Sequence, residues 1–294
     1  MKGFWLLWGG LWLLFSPFDQ ARAIVFFSQG NDVNLTDPGN GLPWENVVQM
    51  RSDSGPIGTG VYLGNRYVLT AGHVGPLTSV KVGFLDYQLE SSTTISIGTA
   101  DMKLVRLASD PGLGNVNLNT SAVSDFGSVH LVGYGVGRAP DSQLNTSPVT
   151  WGDSSTAIKR WGTNDVDGFY SGVQIAGYTS DLVWTQFNRN VGSNEAALTI
   201  YDSGSALFRQ IGSEWYLVGL GAYVQNSGYS LASDESNPND SSDNYFIRIS
   251  SYSNAADVIG GVGVPEPSSQ SLLFVGVAFL SACLLARRSV GRRS

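Results

Sequence analysis

Apolar positions along this chain come in short runs broken by turn residues, with the two-residue period of strands rather than the longer period of helices. The segment Gly60-Val61-Tyr62-Leu63, then Gly64-Asn65-Arg66, then Tyr67-Val68-Leu69-Thr70 reads as a β-hairpin. Similar runs rich in Val, Ile, Leu and Tyr follow down the chain. No long segment carries a helical apolar pattern. The one helix expected inside the domain starts from a cap at Ser253 or Asn254 and runs through Ala255, Ala256 and Val258. Residues 138–168 are polar and rich in Ser, Thr, Asp and Asn, which predicts a loop-heavy stretch. Asp234, Glu235, Asp240 and Asp243 cluster in another such stretch. That cluster reads as a solvated acidic loop or a weak calcium site, and its spacing matches no EF-hand loop.

Both ends depart from this pattern. Residues 1–23 open with Lys2, pass through the apolar run Phe4 to Phe15 and close on Ala21-Arg22-Ala23. This is the layout of a secretory signal peptide; the alternative is an uncleaved anchor, for which the run is shorter than the ~20 residues a spanning helix needs. At the other end, Val264-Pro265-Glu266-Pro267 precedes the apolar stretch Leu272 to Ala286 and then Arg287, Arg288, Arg292 and Arg293. A short membrane helix held by arginines on the cytoplasmic side fits this order. The arrangement resembles the PEP-CTERM sorting signal of Gram-negative bacteria, which implies an exosortase-type sorting enzyme as a partner; a permanent anchor is the plainer reading. The expected organisation is therefore 1–23 signal peptide, 24–125 and 126–258 two halves of a folded unit, 259–270 linker and 271–294 membrane segment. The folded unit would then face the periplasm, cell surface or extracellular matrix, touching membrane only through the tail.

Charge and cysteine usage narrow the picture. Without the two ends the chain carries 11 positive and 22 negative side chains, a balance that repels nucleic acid. The single cysteine, Cys283, lies in the tail, so the folded unit is held by its apolar core without disulfides.

Three separate segments carry chemistry. Val68-Leu69-Thr70-Ala71-Gly72-His73-Val74 ends a strand on a small-residue turn with a histidine; Asp101 opens the alternating strand Met102 to Leu107; Tyr201-Asp202-Ser203-Gly204-Ser205 is a tight turn before another strand. Taken singly, each is an ordinary structural segment, and His130, flanked by Val129 and Leu131, keeps that plain reading. Together and in this order they resemble the chymotrypsin-like serine peptidases. Gly133-Tyr134-Gly135 and the strand from Tyr245 to Tyr252 are similar to further segments of that family, and the likeness spans most of residues 42–258.

The resemblance implies an all-β fold of two six-stranded antiparallel barrels with a short C-terminal helix, no metal or organic cofactor, and protein or peptide substrates. It also implies roles. A serine hydroxyl is a weak nucleophile until a base takes its proton; Ser203 would be that nucleophile, His73 the base and Asp101 the group orienting it. The backbone N–H groups of Tyr201 and Ser203 would form the oxyanion hole, and Asp202 would support the turn. Counting from Ser203 puts Ala197 at the floor of the specificity pocket and Tyr223 and Val224 on its wall, which predicts small or medium apolar residues before the cleaved bond rather than Arg or Lys.

The sequence also departs from the family pattern. Tyr201 stands where the family has glycine, and a bulky aromatic resists the positive φ that aims the N–H into the hole. That departure predicts either an impaired hole, and with it a binding module on the same fold, or an active peptidase. Cleavage after Ala23 would free Ile24, whose amine in this family often pairs with the aspartate before the serine, here Asp202; coincidence is the competing reading.

Overall fold

The computed structural model describes residues 24–252 apart from 92–93, 122–126, 190, 226–227 and 233–241. The expected signal peptide, linker, membrane tail, terminal helix and most of the acidic loop lie outside the described residues. Among the described residues no helix is long and apolar enough to cross a membrane. Two short 3-10 turns, Ser154–Thr156 and Ile249–Ser251, are the helical elements there.

The hairpin read from the sequence is present. In chain order the first half contains β1 (Val25–Phe26), β2 (Val47–Ser52), β3 (Gly55–Gly64), β4 (Tyr67–Ala71), β5 (Ser79–Val82), β6 (Leu85–Gln88), β7 (Ile95–Ser96), β8 (Met102–Arg106) and β9 (Asn117–Leu118). Asn65 and Arg66 connect β3 to β4 with φ of 51° and 71°, the left-handed pair that matches strand twist in a tight hairpin. One seven-stranded antiparallel sheet runs β6-β5-β2-β3-β4-β8-β7. It curls on itself through the bridge between Leu89 and Leu107.

The second half adds β10 (Ser128–Gly133), β11 (Val149–Thr150), β12 (Arg160–Asp165), β13 (Gly168–Ile175), β14 (Tyr178–Gln186), β15 (Ala196–Ala197), β16 (Ala206–Ile211), β17 (Glu214–Val224), β18 (Tyr229–Ser230) and β19 (Asp243–Arg248). Its eight-stranded sheet runs β12-β10-β16-β17-β19-β14-β13, with β9 pairing in parallel with β17. The two-barrel architecture matches the expectation, while the sheets count seven and eight strands in place of six each. Two pieces of the first half cross over: β1 pairs with β15, and β9 with β17. The halves therefore interlock instead of dividing cleanly at residue 125.

Three apolar clusters explain the arrangement. Val48, Met50, Val68, Val80 and Val105 come wholly from the first sheet. Val129, Leu131, Val183, Leu207 and Phe246 come from the second and are completed by Ile24 and Phe26 of the N-terminal segment. The third joins the sheets: Val61, Leu69 and Leu104 of the first meet Ala206, Leu220 and Ile247 of the second. A central strand such as β4 thus buries both faces, Val68 inside its own barrel and Leu69 against the other.

Strand β12 lies inside the stretch expected to be loop-heavy. Its inward positions are Arg160, Gly162 and Asn164, not apolar residues. The buried polar pair bonds to backbone: Arg160 donates to the Ile24 carbonyl at 3.1 Å and Asn164 to the Ala196 carbonyl at 3.1 Å. Hydrogen bonding here replaces the hydrophobic signal on which a sequence reading relies.

Candidate active site

His73 leaves the end of β4 on the turn Ala71-Gly72. A side chain at Gly72 would sit 2.9 Å from Tyr178 and 3.0 Å from Asp101 Oδ1, so only glycine lets the turn close on the aspartate. Asp101 lies just before β8, is 11% exposed at its side chain, and takes two hydrogen bonds from one residue. The His73 backbone N–H donates to its Oδ1 at 2.8 Å, and the ring Nδ1 lies 2.6 Å from its Oδ2. A carboxylate accepts only, so the ring proton belongs on Nδ1 and Nε2 is left as an acceptor. Ser203 Oγ stands 2.8 Å from that Nε2.

Residues far apart in sequence secure these three. Ser180 on β14 of the second sheet accepts from the Asp101 backbone N–H at 3.0 Å. Lys103, its ammonium pushed below the usual lysine range by burial, donates to the carbonyls of Gly72 at 3.0 Å and Val74 at 2.5 Å, on either side of the histidine. Thr59 on β3, fully buried, ties the first barrel to the serine turn. Its N–H donates to the Ser203 carbonyl at 2.8 Å and its hydroxyl to the Tyr201 carbonyl at 2.9 Å. None of Ser180, Lys103 and Thr59 carries a local sequence signal, because each acts across strands or between barrels.

Asp202 is buried and supports the turn from below. It accepts from the backbone N–H of Gly135 at 2.7 Å and of Thr199 at 2.9 Å, and from the Thr199 hydroxyl at 3.1 Å. Burial lifts its carboxyl to about 6, against the lowering effect of those hydrogen bonds and of Arg160. Side chains at Gly133 or Gly135 would come within 2.1 Å and 2.2 Å of its carboxylate, which accounts for the Gly-Tyr-Gly segment. Ile24 is buried in the second barrel, and its carbonyl accepts from Arg160. Among the described residues no hydrogen bond joins it to Asp202.

Tyr201 adopts φ of 73°. The backbone geometry that its bulk disfavours is therefore present, at a cost of roughly 1–2 kcal/mol that the surrounding bonds must offset. Among the described residues neither the Tyr201 nor the Ser203 N–H donates to a protein acceptor. The sequence-based ground for an impaired hole falls away. Replacing Tyr201 by glycine is expected to relieve the strain and keep turnover within about threefold of the parent. Initial rates on one chromogenic peptide check this, and a loss of ~10²–10³, the usual effect of removing one oxyanion donor, would mean that the tyrosine side chain itself shapes the hole.

A cavity of about 320 Å³ opens beside Ser203 and His73, lined by Leu198, Thr199, Ala222, Tyr223, Val224 and Trp151 among others. Tyr223 and Val224 lie where the sequence placed them. Ala197 does not: it is fully buried on β15, paired with Val25 and packed with Phe27 and Phe187, and it does not line the cavity. The chain turns into the cavity one residue later, at Leu198. His130 keeps its structural role, wedged between Trp161 and Trp215 at ring distances of 6.0 and 4.9 Å. Among the described residues no group of three or more His, Cys, Asp or Glu gathers to hold a metal ion.

No family model matches the sequence, and no curated protein matches it. Solved structures do. Neuropsin, a serine protease expressed in the limbic system of mouse brain, aligns at TM-score 0.51 and 18% identity, over 77% of this chain and 97% of that one. An inactive mutant form of Rv3671c from M. tuberculosis aligns at TM-score 0.51 and 14% identity, over 82% and 97%. The chain has the chymotrypsin-like double-barrel fold. At these identities the likeness carries the fold alone, and in that fold the cleft between the barrels is where His73, Asp101 and Ser203 meet.

Proposed function

We propose that this protein is an exported serine endopeptidase in which Ser203 attacks the peptide carbonyl, His73 takes and later returns the proton, and Asp101 holds the imidazole. The reading is supported above all by the chain of short contacts from Asp101 Oδ2 through His73 to Ser203 Oγ, 2.6 and 2.8 Å long. As Oγ attacks, its proton passes to Nε2 and the resulting imidazolium is stabilised by the carboxylate. The carbonyl oxygen, now negative, is held by the N–H groups of Tyr201 and Ser203. Collapse of this intermediate expels the amine, which takes the proton back from His73, and water repeats the sequence to release the acid.

The cavity beside Ser203 would take the residue before the cleaved bond. Leu198, Ala222 and Val224 offer it apolar contact, which favours small or medium apolar side chains. Export rests on the N-terminal pattern, and sorting by an exosortase-type enzyme rests on the Pro265-Glu266-Pro267 tail. A fluorophosphonate probe tests the core of the reading, because it labels only an activated serine. Stoichiometric labelling at Ser203, with peptides carrying Ala, Val or Leu before the cleaved bond outpacing those carrying Arg, is the expected result. Absence of labelling would leave a barrel protein without hydrolase chemistry.

A further inference from the structure

The buried carboxylate beneath the serine turn has a cation on the neighbouring strand. In the ladder between β10 and β12, Gly133 lies directly opposite Arg160. Side chains of directly opposed residues share one face of a sheet, with Cβ atoms about 4.5–5.5 Å apart. Gly133 has no side chain, and the place its Cβ would take falls 2.1 Å from Asp202 Oδ1. The Asp202 carboxylate therefore stands where the cross-strand neighbour of Arg160 would be. The result is an oppositely charged strand pair whose acid is delivered by the serine turn.

Both groups are withdrawn from water, Arg160 fully and Asp202 to 1% exposure. Burying a lone charge is costly, and a nearby charge of opposite sign lowers that cost. Arg160 is the charged group whose attraction favours the Asp202 anion. The other residues set round the carboxylate, Gly133, Gly135, Thr199 and Ser205, do not titrate, and Tyr134 between the two glycines turns its ring towards Lys159. The guanidinium is itself seated: it donates to the carbonyls of Ile24 at 3.1 Å and Asn31 at 3.2 Å, so the N-terminal arm aims two dipoles at it. In the 294-residue chain, Ile24 carries a peptide nitrogen and not an amine, and the contacts of His73 with Asp101 and Ser203 are formed with it so.

The charge on Asp202 matters for the turn above it. The anion accepts from the N–H groups of Gly135 and Thr199 and from the Thr199 hydroxyl. A protonated carboxyl would set a donor against one of these donors. The turn that carries Tyr201 at φ of 73° would then lose one of its ties. We propose that Arg160 is a positioning residue for catalysis, the internal counter-charge that holds the Asp202 carboxylate under the serine turn. It acts through Asp202 on the N–H groups of Tyr201 and Ser203 and takes no part in the proton transfer. The site is complete without a free amine at Ile24, and the N-terminal arm serves to seat the guanidinium. The proposal deepens the peptidase reading and rests on it.

Two variants test the charge. Arg160→Met keeps much of the bulk and removes the charge, whereas Arg160→Lys keeps the charge in a different shape; both lose bonds to the arm, and both are expected to lower Tm. In Arg160→Met the acid limb of kcat/KM is expected to move up by about one pH unit or more, the size of a tenfold change in ionisation, and in Arg160→Lys to stay with the parent. A limb that stays put in both variants, or moves equally in both, would overturn the proposal.

Thermal unfolding reads the same pairing without turnover. Burial lifts the Asp202 carboxyl to about 6 against an ordinary 3.8, so its contribution to stability is full below pH 3.8 and is lost as pH rises through about 6. Without the cation the folded value is higher still, and the loss runs on to higher pH. The Tm of Arg160→Met relative to Arg160→Lys is therefore expected to fall further between about pH 5 and about pH 8. A constant difference would overturn the pairing. The expected fall, in a parent that takes no fluorophosphonate, would sink the hydrolase reading and leave the charge pair standing. If Arg160→Met does not fold, the N-terminus decides: a chain with an uncleaved extension ahead of Ile24 is expected to match one starting at Ile24 within about twofold in kcat/KM. Activity that emerges only once Ile24 is freed would overturn the internal counter-charge.

Discussion

Ser203→Ala is expected to lower peptide hydrolysis on the order of 10⁶-fold, the loss seen when the nucleophile of such a constellation is removed, while the protein stays folded. The substitution deletes one oxygen whose hydrogen bond is to His73 Nε2. The backbone bonds that shape the turn remain: Thr59 still donates to the residue-203 carbonyl, and Gly204, at φ of 84°, still passes within van der Waals reach of the first barrel. A group lost only from the reacting set should alter kcat with little effect on peptide affinity. Initial rates with an apolar chromogenic peptide, set beside thermal unfolding of both proteins, read the two effects separately. A variant within tenfold of the parent would remove Ser203 from the chemistry altogether. Adding His73→Ala to it should cost little more, because nucleophile and base act as one unit.

Asp101→Asn is the second large effect, about 10⁴-fold in kcat at neutral pH. The carboxylate accepts twice from His73, at the backbone N–H and at ring Nδ1. An amide has one accepting oxygen. If that oxygen keeps the backbone N–H, the amide nitrogen faces Nδ1 and donates to it. The ring proton then moves to Nε2, and the nitrogen that should accept from Ser203 becomes a donor. The geometry survives in the wrong tautomer. Steady-state kinetics of the variant check this, and a loss below tenfold would show that Asp101 only fills space beneath the histidine.

The contrast between the two positions before Ser203 shows how far local reading reaches. Asp202 announces itself in the sequence through the turn it sits in, and the structure places it under that turn with three donors. Tyr201, one residue earlier, was misleading. Its intrinsic preference opposes positive φ, but Thr59 holds its carbonyl and the buried Asp202 holds the segment below it, so tertiary bonds override the local preference. Ala197 failed for a related reason. Counting residues assumes that this loop enters the cavity where the family's does, whereas here β1 captures the position into a two-stranded pairing.

Strand β12 and a cluster of neighbouring aromatic side chains on the second sheet were invisible for opposite causes. In β12 the inward side chains, those of Arg160 and Asn164, are polar and donate to carbonyls, so no hydrophobic alternation marks it. The residues Tyr170, Trp184, Tyr223 and Tyr245 are individually unremarkable strand aromatics. Only the register of four strands, together with one bulge, turns them into a surface.

The sequence by itself determined the class of strands and the first hairpin, because these follow from local alternation and turn residues, and it singled out the histidine, aspartate and serine only through three segments read together and in order. Tertiary structure alone decided that these residues meet within hydrogen-bonding distance, that Tyr201 takes a left-handed backbone, and which side chains face the cleft. Those outcomes depend on how two curled sheets pack and interlock, and packing of that kind is set by contacts between residues that have no fixed spacing along the chain.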